Sequence, residues 1–307
     1  MIEVKAHNLV NLEGPDLENA IKNDFGISIT GAEKVAKGYN SQVYSAKIGE
    51  QVVFIRINKD RRVFDAEVLG YQTFKKQGIS VPEIIAYKTN PSSIGQPTMI
   101  MSSAEGRAMN ESDSSTEQKD ILYERLGGLL GKINETKLEG FGKLIVKDGN
   151  LCGEFKDWNS YWESNRNHYI KGIAFMLENG FITEQEAQKT KEVFEEVSFL
   201  KIQESSLLHR DIHPGHFFVN GTDITGIIDL GELMAGDPRL DIAVGLFFQN
   251  EREQAFFKKG YGKLSDDPLV NKYLLIILID KVVFEFKVRQ KYNPKLLDRF
   301  YQTLKLI

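Results

Sequence analysis

Three of the chain's five histidines crowd around one aspartate in His209-Arg210-Asp211-Ile212-His213-Pro214-Gly215-His216. Eighteen residues beyond Asp211 stands a second carboxylate, in Ile227-Ile228-Asp229-Leu230-Gly231. A β-branched pair followed by an Asp and, two residues on, a Gly pins a carboxylate at a sheet edge, and a Pro-Gly turn aims the first carboxylate at a partner. Two fixed carboxylates with an imidazole beside them suit phosphoryl transfer. There a divalent ion holds the phosphates and an aspartate orients the attacking hydroxyl. The same cluster admits another chemistry, a metallohydrolase with His209, Asp211, His213 and His216 as ligands. The remaining histidines, His7 and His168, stand in unrelated contexts and offer that site nothing further.

These residues need elements to hold them. Asp16–Phe25 reads as a short helix stopped at Gly26. Strand-like runs come next at Ser28–Ala36, Gln42–Ile48 and Gln51–Ile57, the last two joined at Gly49-Glu50. Phe64, Val68, Tyr71 and Phe74 give Arg61–Gln77 a helical period that stops at Gly78. Ser80–Ala86 and Thr98–Met101 supply two more strands. The first hundred residues therefore read as a five-stranded antiparallel sheet with one helix inserted after the third strand.

From Ser102 onward the pattern is mainly helical. Thr116–Thr136, Lys156–Asn179, a helix opened by the capping box Thr183-Glu184-Gln185-Glu186, Asp266–Lys291 and Pro294–Leu306 carry helical periods. A hairpin over Lys143–Phe155 turns at Asp148-Gly149, and Asp237-Pro238 opens a further helix. The expected fold class is α+β. It has a mainly β part over 1–101, a mainly helical part over 102–307, and a cleft between them.

Within the β part, Gly38-Tyr39-Asn40-Ser41 reads either as a loop whose backbone N–H groups cover phosphates or as a plain hairpin turn. Arg56 lies on the strand face opposite Ile55, and Glu67 on the next helix can reach back to it, which would aim a guanidinium at phosphates. Met101, Ser102 and Ala104 lie where a purine could meet backbone groups, or where a linker simply joins the two parts. Asp241 stands one turn beyond Asp237, where it could brace the 209–216 loop.

The 307 residues suffice for a buried core, and 41% hydrophobic with 27% charged residues is an ordinary globular balance. One cysteine, Cys152, excludes a disulfide framework. Met1-Ile2-Glu3-Val4-Lys5 has no apolar run, and Tyr273–Phe284 is too short to cross a bilayer, so the expectation is a cytoplasmic protein without membrane contact. Residues 102–251 hold 15 Lys+Arg against 26 Asp+Glu, a local −11 within a total of −4. Such a surface repels nucleic acid and draws in a cationic substrate, or serves solubility alone. Asp157, Glu163 and Glu232 are the candidates for meeting the amines of such a substrate, each also readable as a plain surface carboxylate.

In this order the motifs resemble the aminoglycoside phosphotransferase family, small-molecule kinases with a protein-kinase-like, two-lobed fold. The resemblance runs through Gly38–Val43, Arg56 with Glu67, Met101–Gly106, Gly140-Phe141-Gly142, His209–His216, Ile227–Gly231 and Gly236–Ala243. It implies that Asp211 is the catalytic aspartate and that Asp229 and His216 hold Mg²⁺. It further implies that Gly38, Asn40, Ser41, Arg56, Glu67, Met101, Ser102 and Ala104 bind ATP or GTP. The acceptor would be a hydroxyl of a small molecule, foremost an aminoglycoside, or else a metabolite such as choline, homoserine or a sugar. His216 replaces the usual Asn and Arg56 the usual Lys, which is nearest to the 2″-aminoglycoside and hygromycin enzymes. A nucleotide-binding pseudokinase is the further alternative, resting on His216 and the single-glycine loop.

Overall fold

The computed structural model describes residues 12–37 and 41–307. Helix α1 (Gly14–Phe25) carries proline in its first turn and ends at Gly26, whose φ of 70° closes the helix in the left-handed region. Strands β1 (Thr30–Lys37), β2 (Ser41–Ile48) and β3 (Gln51–Asn58) come next, then helix α2 (Arg61–Lys76), β4 (Ile84–Lys88) and β5 (Thr98–Ser102). They form one antiparallel sheet in the order β1-β2-β3-β5-β4, with α2 inserted after the third strand. The expected strand over 80–86 begins only at Ile84, because Pro82 has no N–H to give a ladder.

The rest is mainly helical. Its elements are β6 (Arg107–Ala108), α3 (Thr116–Asn134), β7 (Lys137–Leu138), β8 (Phe141–Lys147), β9 (Asn150–Phe155), α4 (Trp158–Glu178) and α5 (Glu184–Ser198). Then come β10 (Ser205–Leu208), β11 (Phe217–Asn220), β12 (Asp223–Ile227), β13 (Met234–Gly236), α6 (Pro238–Phe247), α7 (Glu251–Tyr261), α8 (Pro268–Lys287) and α9 (Pro294–Lys305). The short strands make two further sheets, β7-β10-β13-β8-β9 and β12-β11-β6. Side-chain caps set the helix starts: Asp157 for α4, Asp237 for α6 and Asp267 for α8. The last helix of the pair expected over 266–306 thus begins on schedule, while its predecessor begins two residues late, behind the Asp267 cap.

Two apolar cores hold this frame. One lies between α1 and the outer face of the first sheet, where Leu17 and Ile21 meet Val53, Ile55 and Ile57 of β3. Alternation along β3 therefore sends Arg56 to the opposite face, towards α2. The larger core joins Phe64, Val68 and Phe74 of α2 to Leu122, Leu126 and Leu130 of α3 and to the aromatic residues of α4. Residues 273–279 of α8 are all buried within it, each large apolar side chain contributing about 1.5–3 kcal/mol. No described helix is long and apolar enough to cross a membrane.

Candidate active site

Strand β10 delivers the chain to the 209–216 loop, and one buried carboxylate shapes that loop. Asp241 on α6 accepts from the backbone N–H of His209 at 2.8 Å and of Arg210 at 2.7 Å, and from Asn134 Nδ2 at 3.1 Å. Those bonds hold Arg210 at a φ of 68°, unusual for a side-chain-bearing residue, and turn Asp211 outwards. His209 is fully buried between Phe74 and Phe217, and its Nδ1 accepts from the Asp211 N–H at 3.3 Å. Burial drives its pKa down to about 3, so it stays neutral. His213 Nδ1 accepts from the Gly215 N–H at 3.0 Å, and a Cβ at Gly215 would stand 2.9 Å from that nitrogen. A side chain there would have to push the His213 ring out of the turn that carries His216 back over Asp211.

Asp229 stands just past the end of β12 with a φ of 62°, and its N–H donates to the Tyr71 hydroxyl at 3.2 Å. Its Oδ1 accepts from Arg56 Nη2 at 2.8 Å, and its Oδ2 lies 3.7 Å from His216 Nε2. On its other side the imidazole places Nδ1 3.3 Å from Asp211 Oδ2. One ligand atom each of Asp211, His216 and Asp229 lies within 4.8 Å of the others, a spacing that a single divalent ion can span. Burial raises the Asp211 carboxyl above its ordinary range, with His216 working against it. Burial also acts upwards on Asp229, but Arg56 and then His216 outweigh it and hold that carboxyl low. His209 and His213 contribute to no such group among the described residues, so the four-ligand hydrolase arrangement does not form.

Arg56 Nε lies 3.4 Å from Glu67 Oε1, a residue with no exposed surface. Neither Glu67 oxygen finds a hydrogen bond among the described residues, and burial pushes its pKa up to about 7 despite the guanidinium. Gly231 completes this corner: a Cβ there would come 3.2 Å from Arg56 Nη2. Of the expected phosphate loop, Ser41 opens β2 and is buried opposite Asn58, whereas Gly38, Tyr39 and Asn40 lie outside the described residues. Met101 is buried at the end of β5, the Ser102 hydroxyl accepts from the Glu83 N–H at 2.9 Å, and Ala104 abuts Gly226 of β12.

The three acceptor-side carboxylates part company. Glu232 lies beside the site, within the field of Arg210, Asp211 and Asp229. Asp157 spends its carboxylate on the Ser160 N–H at the start of α4, and Glu163 faces Arg166 at 3.6 Å. Sequence reasoning passed over Tyr71, which reads as one more core residue of α2, and Lys281 of α8, whose charge is felt by Asp211 and His213. Both act across the fold, so neither leaves a local pattern.

A twisted β lobe set against a helical lobe, with two carboxylates and an imidazole meeting at strand ends, defines a kinase-type phosphotransferase. The chain belongs to the phosphotransferase enzyme family, whose model matches residues 31–268. Its fold is shared with a thermostable mutant of aminoglycoside phosphotransferase APH(4)-Ia solved with AMP-PNP and hygromycin B, at 18% identity, TM-score 0.70, and 95% and 98% coverage of the two chains. The GDP complex of aminoglycoside 2'-phosphotransferase-IIIa matches at 16% identity and TM-score 0.65, covering 96% and 97%. Spectinomycin phosphotransferase APH(9)-Ia, bound to ADP and spectinomycin, matches at 15% identity and TM-score 0.64, covering 97% and 98%. No curated protein matches the sequence.

Proposed function

We propose that the chain transfers the γ-phosphate of ATP or GTP to a hydroxyl of an amine-bearing small molecule of the aminoglycoside class. The observation that carries this is the convergence of Asp211, His216 and Asp229 within 4.8 Å, on a chain of this family. In this reading residues 1–101 bind the nucleotide and residues 102–307 supply the catalytic and acceptor groups. The purine would lie along Met101, Ser102 and Ala104, and the phosphates between the Gly38–Ser41 loop and Arg56. Asp229 would hold Mg²⁺ as a hard oxygen donor, with the His216 nitrogen its weaker ligand, and Asp211 stands close enough to face the same ion. When bound, Mg²⁺ would neutralise charge on the phosphates.

The chain's own residues do the remaining work. Asp211 accepts a hydrogen bond from the acceptor hydroxyl, orients it in line with the γ-phosphate and takes its proton late, since a loose transition state rewards positioning above deprotonation. A carboxyl raised by burial is a stronger base once ionised, which fits that task. Glu232 would meet an acceptor amine, and the acidic 102–251 stretch would draw such a cation in. The setting is the cytoplasm, where nucleoside triphosphates are at hand.

The test is nucleotide consumption with both ATP and GTP against aminoglycosides, choline, homoserine and sugars. Asp211→Asn is expected to lower kcat by roughly 10²–10⁴, with KM for nucleotide little changed. Full turnover by Asp211→Asn would remove Asp211 from the role. Consumption only with a neutral metabolite would remove the aminoglycoside.

A further inference from the structure

A cleft of about 220 Å³ opens beside the proposed centre, and its walls include Asn58, Lys59, Lys143, Tyr161, Arg210 and Glu232. Gly231 lines it too, and on its far side lies the Arg56–Asp229 pair. Two polar atoms of its lining side chains stand out. Arg210 Nη1 and Asn58 Nδ2 are each buried with no hydrogen-bond partner among the described residues. Asn58 is 1% exposed, and its Oδ1 is already engaged by the Asp60 N–H at 3.0 Å. The bonds of the nearby Asp241 go to the backbone N–H groups of His209 and Arg210, not to the guanidinium.

A buried donor without an acceptor is rare in native proteins, and a charged one costs more than a neutral one. Both orphans here are donors, and Lys143 adds an exposed ammonium at the same cleft. Of the two carboxylates in the lining, Asp60 is spent on the Arg62 and Val63 N–H groups that start α2, and Glu232 lies within the field of Arg210 and Lys143 but is hydrogen-bonded to neither. Unanswered donors on side chains that line one cleft call for a ligand made of acceptors. A planar guanidinium and an amide suit the paired oxygens of a carboxylate or phosphate.

We infer that this cleft is an anion-binding site in which Arg210, Asn58 and Lys143 donate to the oxygens of a carboxylate or phosphate group. That group is either part of the acceptor, which would then carry an acid beside its hydroxyl, or a free anion acting as an effector. The inference goes beyond the phosphotransferase reading and leans on it only to tell these two sources apart.

The probe is inorganic phosphate, titrated by calorimetry and thermal shift into the full chain saturated with AMP-PNP, so that the nucleotide's own phosphate positions are filled. Wild type is expected to bind phosphate saturably, and Arg210→Gln and Lys143→Gln each to weaken that binding about tenfold, the scale of one charge-assisted hydrogen bond. Lys143 is exposed, so its variant keeps the fold even if the Arg210 variant loosens it. No phosphate binding, or equal binding by all three proteins as for an adventitious ion only, overturns the inference. Stabilisation by AMP-PNP alone is read separately: its absence in wild type strikes the phosphotransferase reading, whereas its retention in Arg210→Gln isolates the anion site. Under turnover, phosphate that competes with the acceptor, with acceptor KM raised in Arg210→Gln, assigns the group to the acceptor. Phosphate that changes kcat at saturating acceptor assigns it to an effector.

Discussion

Replacing Arg56 by Met tests how the two lobes share one charge. Arg56 is 13% exposed in its side chain and is the cation facing Glu67, which is 0% exposed and lacks any hydrogen bond among the described residues. Removing one partner of a buried ion pair costs about 3–5 kcal/mol, because the other charge is left stranded. At roughly 2–4 °C per kcal/mol for a chain somewhat shorter than this one, Arg56→Met should melt roughly 6–20 °C lower at alkaline pH, where Glu67 is ionised, and by less at acid pH, where it is protonated. The sign of the pH dependence is set by Glu67. Its pKa is raised by burial to about 7, above the ordinary 4.5. Over that interval the folded chain keeps a proton that the unfolded chain has released, so stability falls as pH rises through it. Without Arg56 the fall should continue further towards alkaline pH. Adding Glu67→Gln removes the stranded charge and should restore most of the melting temperature and flatten the pH profile. Nucleotide stabilisation should not return, because the guanidinium beside Asp229 is still missing. Thermal melts of the four proteins of this cycle between pH 5 and pH 9, with and without AMP-PNP, decide the matter. An Arg56→Met protein as stable as its parent at alkaline pH, or a double variant no better than the single, refutes the reasoning.

Two further substitutions probe how the carboxylates are aimed. Asp241→Ala strands the His209 and Arg210 N–H groups, at about 1–3 kcal/mol each, takes one bond from an Asn134 amide that keeps Leu207 and Tyr261, and frees Arg210 from its φ of 68°. It should lower both melting temperature and kcat, and an unchanged kcat in the folded variant would mean that Asp211 is aimed by something else. Gly231→Ala puts a Cβ 3.2 Å from an Arg56 nitrogen that is already fastened to Asp229 at 2.8 Å. Overpacking of this kind costs about 1–3 kcal/mol, so AMP-PNP affinity measured by calorimetry should fall roughly 5- to 150-fold if the cost falls on the nucleotide-bound state. Undiminished affinity would show that the pair yields without loss.

The β lobe was legible in the sequence because its signals are local. The Gly49-Glu50 turn sets the β2–β3 register, and Val53, Ile55 and Ile57 alternate with Arg56 in the observed burial. Helix α7 is absent from the helices expected from periodicity, although Asn250 and Glu253 form a reciprocal capping box at its start. Strands β10, β11 and β13 have three or four residues each, too few for a period to show. They exist because neighbouring segments pair with them, which is a tertiary fact.

The same division runs through the site. Asp211, His216 and Asp229 could be picked out because each sits in a turn with its own chemical signature, and the fold brings them within 4.8 Å. What tunes them is distant in sequence: Tyr71 receives the N–H of a residue 158 positions away, and Arg56 reaches a carboxylate 173 positions away. Asp157 and Glu163 show the converse, since a cap at i+3 and an ion pair at i+3 engage two carboxylates that composition alone offers to a ligand. Arg210 carries the consequence furthest. As a letter beside Asp211 it reads as part of a loop, and only the shape around it reveals a buried guanidinium nitrogen that no described acceptor answers. A buried donor left unanswered next to Asp211 calls for a ligand that answers it, which is why the proposed anion site and the acceptor's chemistry must be tested together.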